Sequence, residues 1–150
     1  MVKWLIANSS RLILALVLIF SGIVKLIDPH GTEYKIEDYA LSFGVSEFLP
    51  MYAPLVLAIA LAMFEFCMGV NLLFVINRRL TSTLVLIFLT IFTPFTLYLA
   101  IENPVHDCGC FGDAWKLTNW QTFIKNVILL TSAIIMTMYH KLQSRLISIH

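Results

Sequence analysis

At 150 residues the chain has the length of one domain. Its apolar fraction of 59% and charged fraction of 13% depart from the roughly half and quarter usual in soluble domains, which excludes an ordinary soluble core and implies membrane helices in contact with lipid. A net charge of +1, with Arg78-Arg79 as its one basic pair, gives no footing for nucleic acid, and three cysteines in so greasy a chain exclude a disulfide scaffold.

Four apolar runs follow along the chain, and each approaches or exceeds the ~20 residues that cross a bilayer. The first predicts a transmembrane helix over about 10–27. Lys3 and Arg11 precede it, as in a signal peptide, but no small-x-small cleavage site follows and Lys25 interrupts its end, so a retained helix is expected. Asp28-Pro29-His30-Gly31 is turn chemistry. Thr32 is then placed to cap a short helix that Gly44 ends. Ile36, Tyr39, Ala40 and Phe43 fall at i, i+3, i+4, i+7, so this helix has one apolar face to lay on the membrane surface or over the bundle.

The second span is predicted over about 53–76. Glu65 lies near its middle, in AMFEFCMGVNLL. An acid at that depth is costly and is by default a functional group with a partner. Lys25 and Lys125 are the candidate partners, both shallower than Glu65, so contact demands a tilted or bent helix; a protonated, hydrogen-bonded Glu65 is the alternative. Cys67, two residues on, faces away from Glu65 and is expected to be a small buried hydrophobe. Gly22 and Gly69 are expected to allow close helix packing.

After a tight turn at Asn77–Thr81, the third span is predicted over about 82–101. Pro94 interrupts it among Thr90, Thr93 and Thr96, hydroxyls able to satisfy the carbonyl that proline frees. The resulting bend either opens a cavity or serves packing alone. The fourth span is predicted over about 120–140, its start marked by the capping-box spacing of Thr118 and Gln121.

Charge orients the four spans. Lys3, Arg11, Arg78, Arg79, Lys141 and Arg145 share one side, which predicts that both termini are cytoplasmic. Tyr34, Tyr52, Trp115 and Trp120 then fit an aromatic belt at the outer interface.

The outer segment between spans three and four carries HDCGCFGD, residues 106–113. Residues two apart on a helix point in nearly opposite directions, so Cys108 and Cys110 can pair only outside a helix. Such a bridge is constrained, and strained disulfides are the readily reduced ones. Asp107 and Asp113 oppose thiolate formation, while His106, when protonated, and the start of the next helix favour it. Three readings stay open. The pair exchanges disulfides with a partner protein or a cofactor; it staples its loop; or His106, Cys108 and Cys110, with His30, bind a soft metal. The metal reading ranks third because no second cysteine pair or fixed fourth ligand accompanies it.

Taken in order, FSGIVKLIDP, an outer helix, Glu65-x-x-x-Gly69 and DCGCFGD resemble the MauE/DoxX family of small four-helix membrane proteins over nearly the whole chain. The resemblance implies an all-α, four-helix transmembrane bundle with a short amphipathic outer-face helix between helices one and two. It implies redox work at the periplasmic face of a bacterial inner membrane, beside a thioredoxin-like partner in one branch and a quinone in another. Cys108 and Cys110 would then be the reacting groups: a partner thiolate attacks one sulfur and the other cysteine resolves the mixed disulfide. Lys25 and Glu65 would form a polar pocket beneath for a quinone or a proton path. The other expected contacts are membrane lipid and a membrane complex or homo-oligomer. A partner-binding subunit with no chemistry of its own is the rival expectation.

Overall fold

A computed structural model describes residues 1–48, 50–102 and 118–139. Among them are five α-helices: α1 (Val2–Ile27), α2 (Pro29–Ser42), α3 (Ala53–Phe74), α4 (Arg78–Glu102) and α5 (Asn119–Met138). All except α2 are long and apolar enough to cross a membrane. The protein is an all-α transmembrane bundle, with α2 as the short helix between the first two spans.

The helix ends explain where the observed spans depart from expectation. α1 begins at Val2 rather than near residue 10, and its 26 residues make it about 39 Å long at 1.5 Å per residue. α3 stops at Phe74, two residues early, because Val75 adopts a left-handed conformation (φ 58°) and Asn77 another (φ 44°). The turn is therefore Val75–Asn77 rather than Asn77–Thr81, and α4 already runs from Arg78. Thr81 closes the turn, its hydroxyl donating to the Ile76 carbonyl at 2.9 Å. Asp28, not Thr32, caps α2, accepting from the Gly31 amide at 3.3 Å. Thr32 is instead buried inside the first turn. Gly44, at φ 68°, follows the end of α2 as anticipated. At α5 the capping box is formed: Thr118 Oγ1 accepts from the Gln121 amide and Gln121 Oε1 accepts from the Thr118 amide.

The tightest neighbours are α1 with α3 and α4 with α5. Two glycines bring α1 and α3 together. A Cβ on Gly22 would lie 2.7 Å from the Phe66 amide nitrogen, and one on Gly69 would lie 2.8 Å from that of Ile19. α2 packs mainly on α3 and lays Tyr39 and Phe43 against Phe95 and Tyr98 of α4. That marks one end of the bundle, the α2 end; the turn Val75–Asn77 lies at the other.

The interior is layered along the membrane normal. Leu14, Leu18, Leu72, Val85, Leu129 and Met136 form an apolar belt nearer the turn. Buried polar positions lie on both sides of this belt: Asn8, Ser10, Arg11, Thr81 and Ser82 beside the turn, and towards the α2 end Ser21 and Lys25 on α1, Glu65 on α3, Thr96 on α4, Thr122 and Asn126 on α5. In α4 the hydroxyls of Thr90, Thr93 and Thr96 donate to the carbonyls of Leu86, Leu89 and Thr93. These bonds do not fall on the Thr90 carbonyl, which Pro94 deprives of its donor. Cys67 is exposed on the outside of α3 rather than buried. Facing away from Glu65 means facing lipid, because Glu65 faces the interior.

Candidate functional site

The polar half of the interior centres on Glu65. Lys25 Nζ lies 2.7 Å from Oε1 and 2.8 Å from Oε2 of Glu65. Ser21 Oγ donates to Oε2 at 2.7 Å. Ser21 and Lys25 are one turn apart and so share a face of α1. Gly22 beside them and Gly69 one turn from Glu65 set the close approach that lets these side chains meet. The side chains of Lys25 and Glu65 are only 4% and 7% exposed, so the pair is shielded from bulk solvent and salt. This is the geometry of an ion pair rather than of a lone protonated acid.

Neither a tilted nor a bent helix is needed for the contact. Ala62 packs on Gly22 and Ala15 on Gly69, which sets Lys25 about one turn nearer the α2 end than Glu65. The flexible lysine stem covers that turn. The first turns of α3 lie beyond the end of α1 and are covered by α2, so Lys25 sits deeper than its position near the end of its own helix suggests.

A cavity of about 40 Å³ adjoins the pair. Ser21, Lys25 and Glu65 form one wall, Lys125 and Asn126 of α5 another, and Phe88 and Phe92 of α4 close it. Lys125 thus faces the same chamber, while the bonds to Glu65 come from Lys25. Asn126 Nδ2 donates to Thr96 Oγ1 at 3.3 Å, tying α5 to α4 beside the chamber. The chamber's volume is below the ~150 Å³ of a cavity that holds a benzene-sized guest and above the ~10–15 Å³ that one water needs.

His106, Asp107, Cys108, Cys110 and Asp113 lie outside the described residues, as do Trp115, Lys116, Lys141 and Arg145. His30, considered as a metal ligand, pairs with Glu33 in the first turn of α2, Nδ1 to Oε2 at 2.6 Å. Tyr34, Tyr52 and Trp120 are exposed.

Buried polar positions on α1 and α5 go beyond the sequence expectations. Ser21 has a signal, since it stands one turn from Lys25 on the same face. Asn119, Thr122 and Asn126 recur at i, i+3, i+7, a polar stripe on an apolar helix. Arg11 is buried, 1% exposed, and its Nη1 donates to the Leu72 and Leu73 carbonyls at 3.3 and 3.4 Å; it caps the last turn of α3, and only the structure reveals that.

A family model described as methylamine utilisation protein MauE matches residues 3–139. No curated protein and no solved structure matches the chain.

Proposed function

The chain belongs to the MauE family, and from that premise we propose that this multi-pass membrane protein carries out thiol–disulfide exchange with a thioredoxin-like partner at the periplasmic face of a bacterial inner membrane. One observation carries the reading. α4 ends at Glu102 and α5 begins at Asn119 at the α2 end, the end to which the buried Lys25–Glu65 pair and its chamber are nearest. The sequence that joins these two helix ends contains Cys108 and Cys110. The two helix ends that this sequence joins, and the buried ion pair, thus belong to one end of the bundle. Lys3, Arg11, Arg78 and Arg79 lie towards the opposite end, which supports a cytoplasmic assignment for that side and a periplasmic one for the α2 end.

The exchange balances within itself. A partner thiolate attacks one sulfur of a Cys108–Cys110 disulfide; the S–S bond breaks, a mixed disulfide forms, and the other cysteine leaves as a thiolate. If the partner's second thiolate attacks next, the partner departs oxidised and this chain keeps two thiols. If the freed cysteine attacks instead, the partner is expelled reduced and the disulfide is restored. An oxidised thioredoxin-like protein running the steps in reverse returns two electrons' worth of oxidation. The exchange itself requires no quinone. Lys25, Glu65 and Ser21 take no part in bond making.

The test is the redox state of the two cysteines in membranes. Acid quenching, mass tagging of free thiols and a Cys110→Ser variant give the expected outcome: a population that shifts with added oxidant or reductant, and a mixed disulfide trapped on Cys108. A pair that stays fully oxidised under both treatments, with no trapped partner, overturns the proposal and leaves a loop staple.

A further inference from the structure

The polar stripe on α5 has no role in disulfide exchange. Asn119, Thr122 and Asn126 are all buried on the inner face of α5, at 5%, 0% and 5% exposure. They cover about 10 Å of helix rise, from the first residue of α5 down to the chamber. Asn126 lines that chamber. Thr122, one turn above it, is fully enclosed, and its Oγ1 has no hydrogen-bond partner among the described residues. Thr32 of α2, buried towards the same end, has an unpartnered hydroxyl as well. Buried hydroxyls are almost always hydrogen-bonded, to protein or to ordered water.

Space and partners for water are both present. The chamber's volume of about 40 Å³ accommodates two or three molecules at ~10–15 Å³ each. A buried water needs 2–4 polar neighbours. Ser21 and Lys25 from α1, Glu65 from α3, and Lys125 and Asn126 from α5 offer them, while α4 presents only apolar side chains, Phe88, Leu89 and Phe92. Towards the turn, the belt of Leu14, Leu18, Leu72, Val85, Leu129 and Met136 closes the interior.

We infer that the inner face of α5 is a one-sided water route, leading from the α2 end past Asn119 and Thr122 to waters bound between Asn126 and the Lys25–Glu65 pair. The ligand is water, and the route lets the pair exchange protons with one side of the membrane while the apolar belt blocks the other. Hydration of the chamber stands without the disulfide reading. Only a link between these protons and thiol chemistry rests on it.

The experiment needs no cysteine. Protein labelled with ¹³C is studied in lipid bilayers by water-edited solid-state NMR, with the Glu65 carboxyl carbon assigned by its loss in Glu65→Gln. The Glu65 carboxyl carbon and the Asn126 amide carbon are expected to gain magnetisation from water, while the methyls of Ala15 and Ala133, both fully buried, stay dark. A Glu65 signal as dark as Ala133 overturns the inference, whatever any variant does. Thr122→Val keeps the shape and removes the hydroxyl; it is expected to cut transfer to Glu65 several-fold, and Thr122→Ser to restore it. Transfer unchanged in Thr122→Val, with the chamber wet, overturns the route along α5. Either result leaves the cysteine-trapping experiment to be judged on its own.

Discussion

Two buried charged sites lie on the same α1–α3 seam and are satisfied in opposite ways. Near the α2 end, Lys25 is neutralised by a carboxylate, Glu65, with Ser21 as a third partner. Nearer the turn, Arg11 has no carboxylate partner among the described residues, where every Asp and Glu except Glu65 lies towards the α2 end. Its guanidinium is held by the last carbonyls of α3, which carry the partial negative charge of a helix C-terminus. The Arg11 site draws on the backbone alone: Nη1 reaches the α3 carbonyls while Nε has no partner among the described residues, and the site terminates α3 where Val75 turns left-handed. The Lys25–Glu65 site adjoins a chamber and a polar stripe. A buried charge in a membrane is therefore not in itself a functional group; what surrounds it decides.

The largest effect should come from cutting one partner out of the acid–base pair. Glu65→Ala leaves a buried ammonium without a counter-charge, and breaking a buried pair this way costs about 3–5 kcal/mol. Thermal unfolding in detergent checks it. Replacing both partners, Lys25→Met with Glu65→Leu, removes the stranded charge and should bring stability back to within about 1 kcal/mol of the parent or above it. Water transfer into the chamber should remain lost in that double variant. A double variant as unstable as Glu65→Ala would show that the pair holds the bundle together and would erase the contrast with Arg11.

How much of this was legible beforehand follows the period and cost of each residue. The four spans and the amphipathic α2 were readable because apolar runs and the i, i+3, i+4 face are properties of composition and spacing. Glu65 was readable because a carboxylate in hydrocarbon has no cheap explanation. Its partner was narrowed to Lys25 or Lys125, and the choice depended on the α1–α3 register, which two glycine contacts set and no local pattern announces. Arg11 was read only as a topology signal. Its burial depends on where α3 stops, and a valine in the left-handed region is a helix end that composition does not mark. The expectation that Cys67 is buried follows from its apolar surroundings in the sequence, but its angle from Glu65 puts it on the lipid face. The thiol segment, Cys108 and Cys110 included, stays at the level of its sequence.

The glycines test the seam that joins the two sites. Gly22→Ala sets a methyl 2.7 Å from the Phe66 amide nitrogen and 2.9 Å from the Ala62 carbonyl, and backbone cannot rotate away as a side chain does. Gly69→Ala does the same against Ile19 and Ala15. Overpacking of this kind costs about 1–3 kcal/mol. Because Gly22 is next to Ser21 and packs between Ala62 and Phe66 at Glu65's level, Gly22→Ala should also lengthen the Lys25–Glu65 contact, seen as a changed Glu65 carboxyl shift. A stable Gly22→Ala with an unmoved Glu65 signal would mean that α1 and α3 have slack, and the pair would then need another explanation for its geometry.

The smallest change is expected at Arg11, and its size distinguishes the two kinds of site. Its contacts with Leu72 and Leu73 are long, 3.3 and 3.4 Å, near the outer limit for such bonds. Arg11→Met deletes them but also deletes the cost of keeping a guanidinium out of water, while the methionine stem fills much of the same space. The two effects oppose, so a net loss of about 1 kcal/mol is expected, the worth of a typical hydrogen bond. The loss should add to that of Glu65→Ala, since the two residues share no partner. Unfolding measurements on the two single variants and the combined one decide it. A much larger loss at Arg11, or one that fails to add, would mean that the α3 cap and the acid–base pair are one coupled system rather than two separate solutions to burying charge.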